Sequence, residues 1–475
     1  MIVFSIRKIF FLLLLILLPL SVTAQEESGD KNSSEGSEKE EEESEKDEEE
    51  EEERQQSLRE EREQTLTYGI DSQVLGLISS LEEEENTRYN DKLAEVFDST
   101  PNNSIRKAIV DFYRTVEEDM LVDEVKGILS DEWVELDTKI AVSYIKYLKK
   151  HQDEEISELF LEISESPTRE VALEAIKALG GAERKEYVEE LKTIYEQAET
   201  RPRKAAAMDA LGEIKSEESV PLFSRVALDE DEESGLRWKA VTALGNIGTD
   251  EALETILKAM GEQDARLREY AVEALSKFPE SKEITRALIQ AMRDDNWRVR
   301  VEGARSLGKL NSKEGVDILT FKAEHDPDTR NVRTAAVRAL GEIDDDEAHE
   351  FLLELYKSSK TPAEIRGTAI EVLVEHNLPE SIDTIEAVLV EEWENEDSKI
   401  LDYTCKQLST AKHKALEPLF ARMLTHPERI NLIIYGLRGI RLNGFSSLSG
   451  EVEKITEKNT ARSVKQLALS VLEEL

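Results

Sequence analysis

Apolar residues recur at steps of three and four along most of the chain. The clearest instance is VRTAAVRALGEI at 332–343, in which Val332, Ala335, Ala336, Ala339, Leu340 and Ile343 fall on one side of a helix. LRWKAVTALGNI at 236–247 and VRVEGARSLGKL at 299–310 repeat the phrase. Its alanines predict close approach by another helix, and its glycine, Gly341 in the first copy, predicts where the helix slackens or ends. One such helix cannot cover its own apolar side, whereas a stack of copies can.

The copies keep a fixed period. Gly180, Gly212, Gly245, Ser276, Gly308, Gly341 and Val374 occupy the glycine slot, at steps of 32, 33, 31, 32, 33 and 33. Eight residues upstream, Arg237, Arg268, Arg300, Arg333 and Arg366 fill a second slot, each behind a branched aliphatic residue. Two slots on one period are far more specific than a lone motif. The phrase resembles the second helix of HEAT repeats, in particular the short kind found in phycobilisome-lyase-like proteins. That resemblance implies an all-α fold, a right-handed superhelical α-solenoid that serves as a binding surface. It also implies a ladder in which turn aspartates meet the slot arginines. Asp264, Asp294 or Asp295, and Asp326 or Asp328 stand ahead of Arg268, Arg300 and Arg333, and Asp264, Asp295 and Asp328 are taken as the rungs.

Both helices of a repeat are visible at 249–278. Thr249 or Asp250 starts a helix bearing Ala252, Leu253, Ile256, Leu257 and Met260; a turn at Gly261–Asp264 follows, then a helix bearing Leu267, Ala271, Ala274, Leu275 and Phe278. The pattern is sharpest over 165–375. It is looser around Ile105 and Ile140 and after Asn377, as terminal repeats are. About twelve HEAT-like pairs fit between residue 66 and Leu475 at this period.

The N-terminus departs from the repeats in composition. Residues 1–24 read as a signal peptide: Arg7 and Lys8, an apolar run from Ile9 to Leu20, and a small-residue cleavage site at Val22-Thr23-Ala24. An uncleaved anchor is the lesser alternative, since it would draw Arg7 and Lys8 into the bilayer. Residues 25–65 are assigned to an acidic, disordered arm. Its 26–53 stretch holds 17 acidic and 3 basic side chains and so has nothing to bury. The chain's formal charge is −43; setting aside the leader's +2 and the arm's −14 leaves −31 on residues 54–475. Such a surface excludes general nucleic-acid binding and adhesion to anionic membranes. The chain is therefore expected to be exported, periplasmic or secreted, with no stable membrane insertion after cleavage.

Catalytic signatures are lacking: there is no phosphate loop, paired-cysteine zinc spacing, HExxH or nucleophile elbow, so neither enzymatic activity nor a cofactor or metal is expected. Cys405, the single cysteine, reads as a small buried hydrophobe. The acidic run Asp344–Glu347 beside His349 reads as a helix start. Trp238, Trp297 and Trp393 read as packing residues. Three residues before each glycine slot, a row Lys177, Asp209, Thr242, Glu273, Arg305, Arg338, Glu371 should face outward. The row one residue after it (Gly181, Glu213, Asn246, Lys277, Lys309, Glu342, Glu375) should do the same. Arg305, Lys309 and Arg338 cluster as a candidate basic stripe for a protein partner, with nearby glutamates able to neutralise it. The expected function is an exported, non-enzymatic protein-binding scaffold. The alternatives are a chromophore-lyase-like enzyme or enzyme subunit, and a structural spacer in the cell envelope.

Overall fold

The computed structural model describes residues 54–475, except 182–183, 427–428 and 458–460. The leader, its cleavage site and residues 25–53 of the arm lie outside the described residues. Residues 54–68 are helical, which corrects the assignment of 54–65 to the disordered arm. Here arginines re-enter among the glutamates, and Arg62 forks onto Glu84 at 2.8 and 2.6 Å. The described residues contain helices and turns and no strand.

The chain divides into two units, Met1–Val116 and Glu117–Leu475. In the first, helices at 54–68, Asp71–Glu83, Asn90–Ser99 and Asn103–Val116 close on a core that includes Ile78, Leu81, Phe97, Ile109 and Phe112. The buried Tyr113 hydroxyl donates to the Asn90 carbonyl at 2.6 Å.

Among the described residues, the second unit forms eleven helix pairs. Its second helices are Thr138–Leu148, Arg169–Ala178, Arg201–Ile214, Ser234–Ile247, Ala265–Leu275, Trp297–Lys309, Thr334–Glu342, Ala363–His376, Lys399–Leu408, Ile430–Asn443 and Arg462–Glu474. Each packs on the second helix of the next pair, and their aliphatic residues form a continuous buried layer with the first helices. Local chemistry starts the helices: Thr249, Ser281, Asp345 and Ser398 each accept the backbone N–H two or three residues on. Such a cap stabilises a helix by about 1 kcal/mol. The eleven pairs here and the two in the first unit come close to the dozen that the period predicts.

The glycine slot lies close to the helix end: Gly180 and Ser276 fall just past the end of their helices, and Gly308 and Gly341 are next to last in theirs. Gly212, Gly245 and Gly308 lie inside their helices, and the chain turns three residues later, where Lys215, Gly248 and Asn311 hold φ of 53°, 75° and 52°. The slot is also a helix–helix contact. A Cβ at Gly245 would stand 2.8 Å from the Ala274 Cβ, and one at Gly308 would stand 2.8 Å from the Ala339 Cα. A side chain there would force neighbouring second helices apart.

The phrase at 332–343 is also less regular than its pattern predicts. Its helix covers only Thr334–Glu342, behind a wide π-turn at Thr329–Arg333 in which the Arg333 N–H reaches back five residues to Asp328. Such turns insert a residue into the helical register and often mark functional segments.

Candidate protein-binding surface

The helical period carries the predicted outward rows to one side of the second helices. Lys177, Asp209 and Thr242 line one groove of about 760 Å³. Glu273, Arg305 and Arg338 line a neighbouring one of about 790 Å³. Glu371 lines a third, of about 540 Å³. Glu213 and Asn246 share the first groove, and Lys309 and Glu342 the second. A further row, one helical turn back from the first, was missed: Ala205, Trp238, Glu269, Val301 and Thr334 line the same grooves. Its members share no chemistry. Only their spacing of seven residues before the slot could have found them.

The three stripe residues come together in the second groove, each with a neighbour. Arg338 forks onto Glu371 at 2.9 and 2.8 Å. Arg305 reaches Glu302 at 3.4 Å, and the Lys309 ammonium donates to Ser276 at 3.2 Å. Burial raises the Glu302 carboxyl above its usual range, against the pull of Arg305 and with the nearby Glu273 charge adding to the rise. Burial raises Glu342 likewise, against His376 and Arg338.

Two of the tryptophans line grooves. The Trp238 indole donates to Asp264 at 2.9 Å and stacks on Tyr270 with ring centroids 5.8 Å apart. Trp297 lines the second groove. Trp393 stands apart, under the Arg422 guanidinium and against the His426 ring.

The slot arginines turn inward. Arg268 forks onto Asp294 at 2.7 and 2.9 Å, and Arg300 onto Asp326 at 2.9 Å twice. Arg237 meets Glu262 at 2.9 Å and Arg366 meets Glu392 at 3.3 Å. In every case the acid belongs to the next repeat. Three expected rungs are therefore corrected. Asp264 caps its own helix and holds Trp238, and Asp328 caps the π-turn. Asp295 offers Arg300 only its backbone carbonyl. Position decides: the rung carboxylate sits 25 or 26 residues beyond its arginine, and these three do not. Arg333 makes no ion pair among the described residues; its Nε donates to the Ala323 carbonyl.

Elsewhere the geometry is plain. Asp345 caps the helix Asp346–Lys357, and the His349 ring meets the Asn377 amide at 2.9 Å. Cys405 is buried, and desolvation pushes its thiol up to about 12. Among the described residues, no group of three or more His, Cys, Asp or Glu is placed to hold a metal ion, and no helix is long and apolar enough to cross a membrane.

Residues 66–471 match the family described as spirochaete HEAT repeat protein. The chain belongs to that family. This HEAT repeat protein matches no curated protein by sequence. Among solved structures it is similar to yeast importin-beta, Kap95p, at 13% identity and a TM-score of 0.52, over 86% of this chain and 66% of that one. Kap121p resembles it at 12% identity and a TM-score of 0.46, over 86% and 52%. The HEAT repeat protein thus spans about half the length of Kap121p. At such identity the likeness to Kap95p concerns the fold alone, an all-α solenoid.

Proposed function

We propose that this chain is a non-enzymatic protein-binding scaffold, exported after removal of residues 1–24, that receives its partner along the outward side of its second helices. One observation carries the reading. The two larger grooves each cross at least three successive second helices and are built from the same rows in each repeat. Open grooves repeated along the stack fit an extended polypeptide better than a compact small molecule. Lys149, Arg201 and Lys239 are paired with Glu213, Glu233 and Asp209, and Arg305 and Arg338 with Glu302 and Glu371, rather than aimed at a common reacting point, which supports a scaffold over an enzyme. A spacer would need no such surface.

Plugging the grooves tests this. In the variant Ala205→Trp, Thr242→Trp, Thr334→Trp, bulk fills both grooves with no change of charge. A partner cross-linked to the parent in cells should be lost from the variant; equal capture by both removes the reading. Export is checked separately, by fractionation and N-terminal sequencing. A mature chain beginning at Gln25 is expected, and an intact Met1 in a carbonate-resistant membrane pellet would overturn it.

A further inference from the structure

The second unit separates its charges by face. Its eleven first helices carry 30 acidic and 10 basic side chains, and its eleven second helices 14 and 23. Without the four ladder arginines at 237, 268, 300 and 366, the second helices still hold 19 basic against 14 acidic. Helix capping does not explain this. Acids in the first turn of a helix answer the backbone dipole, but Glu158, Glu162, Glu196, Glu350, Glu354, Glu386 and Glu391 lie beyond the first turn of their helices.

The ion pairs repeat the separation at the level of side chains. Along the grooves the cation is the outer member: Arg305 is 67% exposed over Glu302 at 16%, and Arg338 is 47% over Glu371 at 32%. Arg201 over Glu233 and Lys239 over Asp209 follow; Lys149 with Glu213 is the reversed case. Along the first helices the carboxylate is outermost, as Glu189 is at 75% beside Lys192 at 23%; Glu254 with Lys258 and Glu354 with Lys357 agree. Pairing therefore does not cancel the two faces. It leaves guanidinium and ammonium groups foremost on the groove side of an otherwise strongly acidic protein.

From this separation we infer that the partner presents an acidic, extended polypeptide segment to the grooves, where Arg305, Lys309 and Arg338 receive its carboxylates. The inference rests on the scaffold reading and adds the partner's chemistry to it. The foremost cations select carboxylates, and the acidic first helices repel the same segment from the rest of the surface, so that attraction and exclusion both direct it to the grooves.

The probe is a fluorescent oligoglutamate peptide, titrated against the full chain. Binding is expected despite the chain's charge of −43, and it should weaken about tenfold as salt rises from low to several-fold higher concentration. The variant Arg305→Glu, Lys309→Glu, Arg338→Glu should bind at least about tenfold more weakly. The control Lys192→Glu, Lys258→Glu, Lys357→Glu changes the net charge equally on the opposite face and should bind as the parent does. Circular dichroism establishes that both variants keep their helices. Equal loss in both variants, or no binding by the parent, overturns the inference. So does tighter binding of a single-stranded oligothymidylate with the same sensitivity, which would make the ligand a nucleic acid. Carbodiimide cross-links between residues 26–53 and Lys309 in the isolated chain would make the chain's own arm the occupant and overturn it as well. If the tryptophan plugs abolish partner capture while oligoglutamate does not bind, the scaffold reading stands and the acidic partner falls.

Discussion

Two adjacent joints in the stack are built differently. Between Trp297–Lys309 and Thr334–Glu342, Gly308 admits Ala339, and the buried Arg300 forks onto the buried Asp326, which also receives Lys322. Between Thr334–Glu342 and Ala363–His376, Gly341 faces the bulkier Val372, and Arg333 meets no carboxylate. Ser358, Ser359 and Lys360 stand where the rung would be. That second joint is tied instead on its outer side by Arg338 and Glu371. A desolvated fork resists water and salt, whereas an exposed pair contributes little and yields to competing charges. One repeat motif can thus be fastened from inside or from outside. The outside fastening is the one a ligand can reach.

The largest effect should come from breaking the contact that sets the first joint's spacing. Gly308→Val places a branched side chain against the Ala339 backbone and should cost about 3 kcal/mol, read as a fall in the urea midpoint. Next, Arg300→Ala removes the fork and leaves Asp326 with Lys322 alone; a loss of about 1–3 kcal/mol is expected by thermal denaturation. An unchanged melting temperature would show that the fork is idle. The same pair makes a pH prediction. Burial pushes the Asp326 carboxyl up, but the Arg300 fork, the Asp328 backbone N–H and Lys322 outweigh it and hold the group below its usual value. Its stabilising contribution is therefore complete above the unfolded-state value near 4 and is lost as pH falls below that. Acidification through that window should cost the parent more than it costs Arg300→Ala.

A gain is predicted at the second joint. Ser359→Asp restores a carboxylate 26 residues beyond Arg333 and should add about 0.5–1 kcal/mol. The gain should vanish in a double variant with Arg333→Ala; if it persists there, no rung has formed. The smallest effect belongs to Arg305→Ala. Removing this exposed side chain should change stability by less than about 0.5 kcal/mol, because exposed pairs are weak. A loss as large as that of Arg300→Ala would mean that the outward row bears on folding.

The period, the all-α stack and the direction of Lys177, Asp209, Thr242, Glu273, Arg305 and Arg338 were legible because each follows from helical spacing alone. The rungs were not. Asp326 receives an arginine while nearby Asp328 caps the π-turn, and of the adjacent Asp294 and Asp295 only Asp294 receives one, with Asn296 capping the helix. Both tasks select an acid, and only the path of the turn assigns them. The π-turn ahead of Thr334 was hidden for a related reason, since it is a change of hydrogen-bond register that leaves the apolar pattern intact. Gly308 and Gly341 were visible as a repeated residue that marks where a helix slackens or ends, and each stands one residue before its helix end, but their second use was not legible. The structure makes them contact points, and a period cannot tell the two uses apart.

The glycine contacts have a mechanical consequence. Backbones already close-packed at Gly245 and Gly308 cannot be pressed closer, and the half-buried Arg268 fork and the buried Arg300 fork resist their being pulled apart. Along this stretch the second helices form an inextensible spine, and any bending strain must be taken up by the first helices, as pages fan about a binding. A pull on the two ends of the stack would be stored there as elastic energy and returned on release, without a single rung being broken.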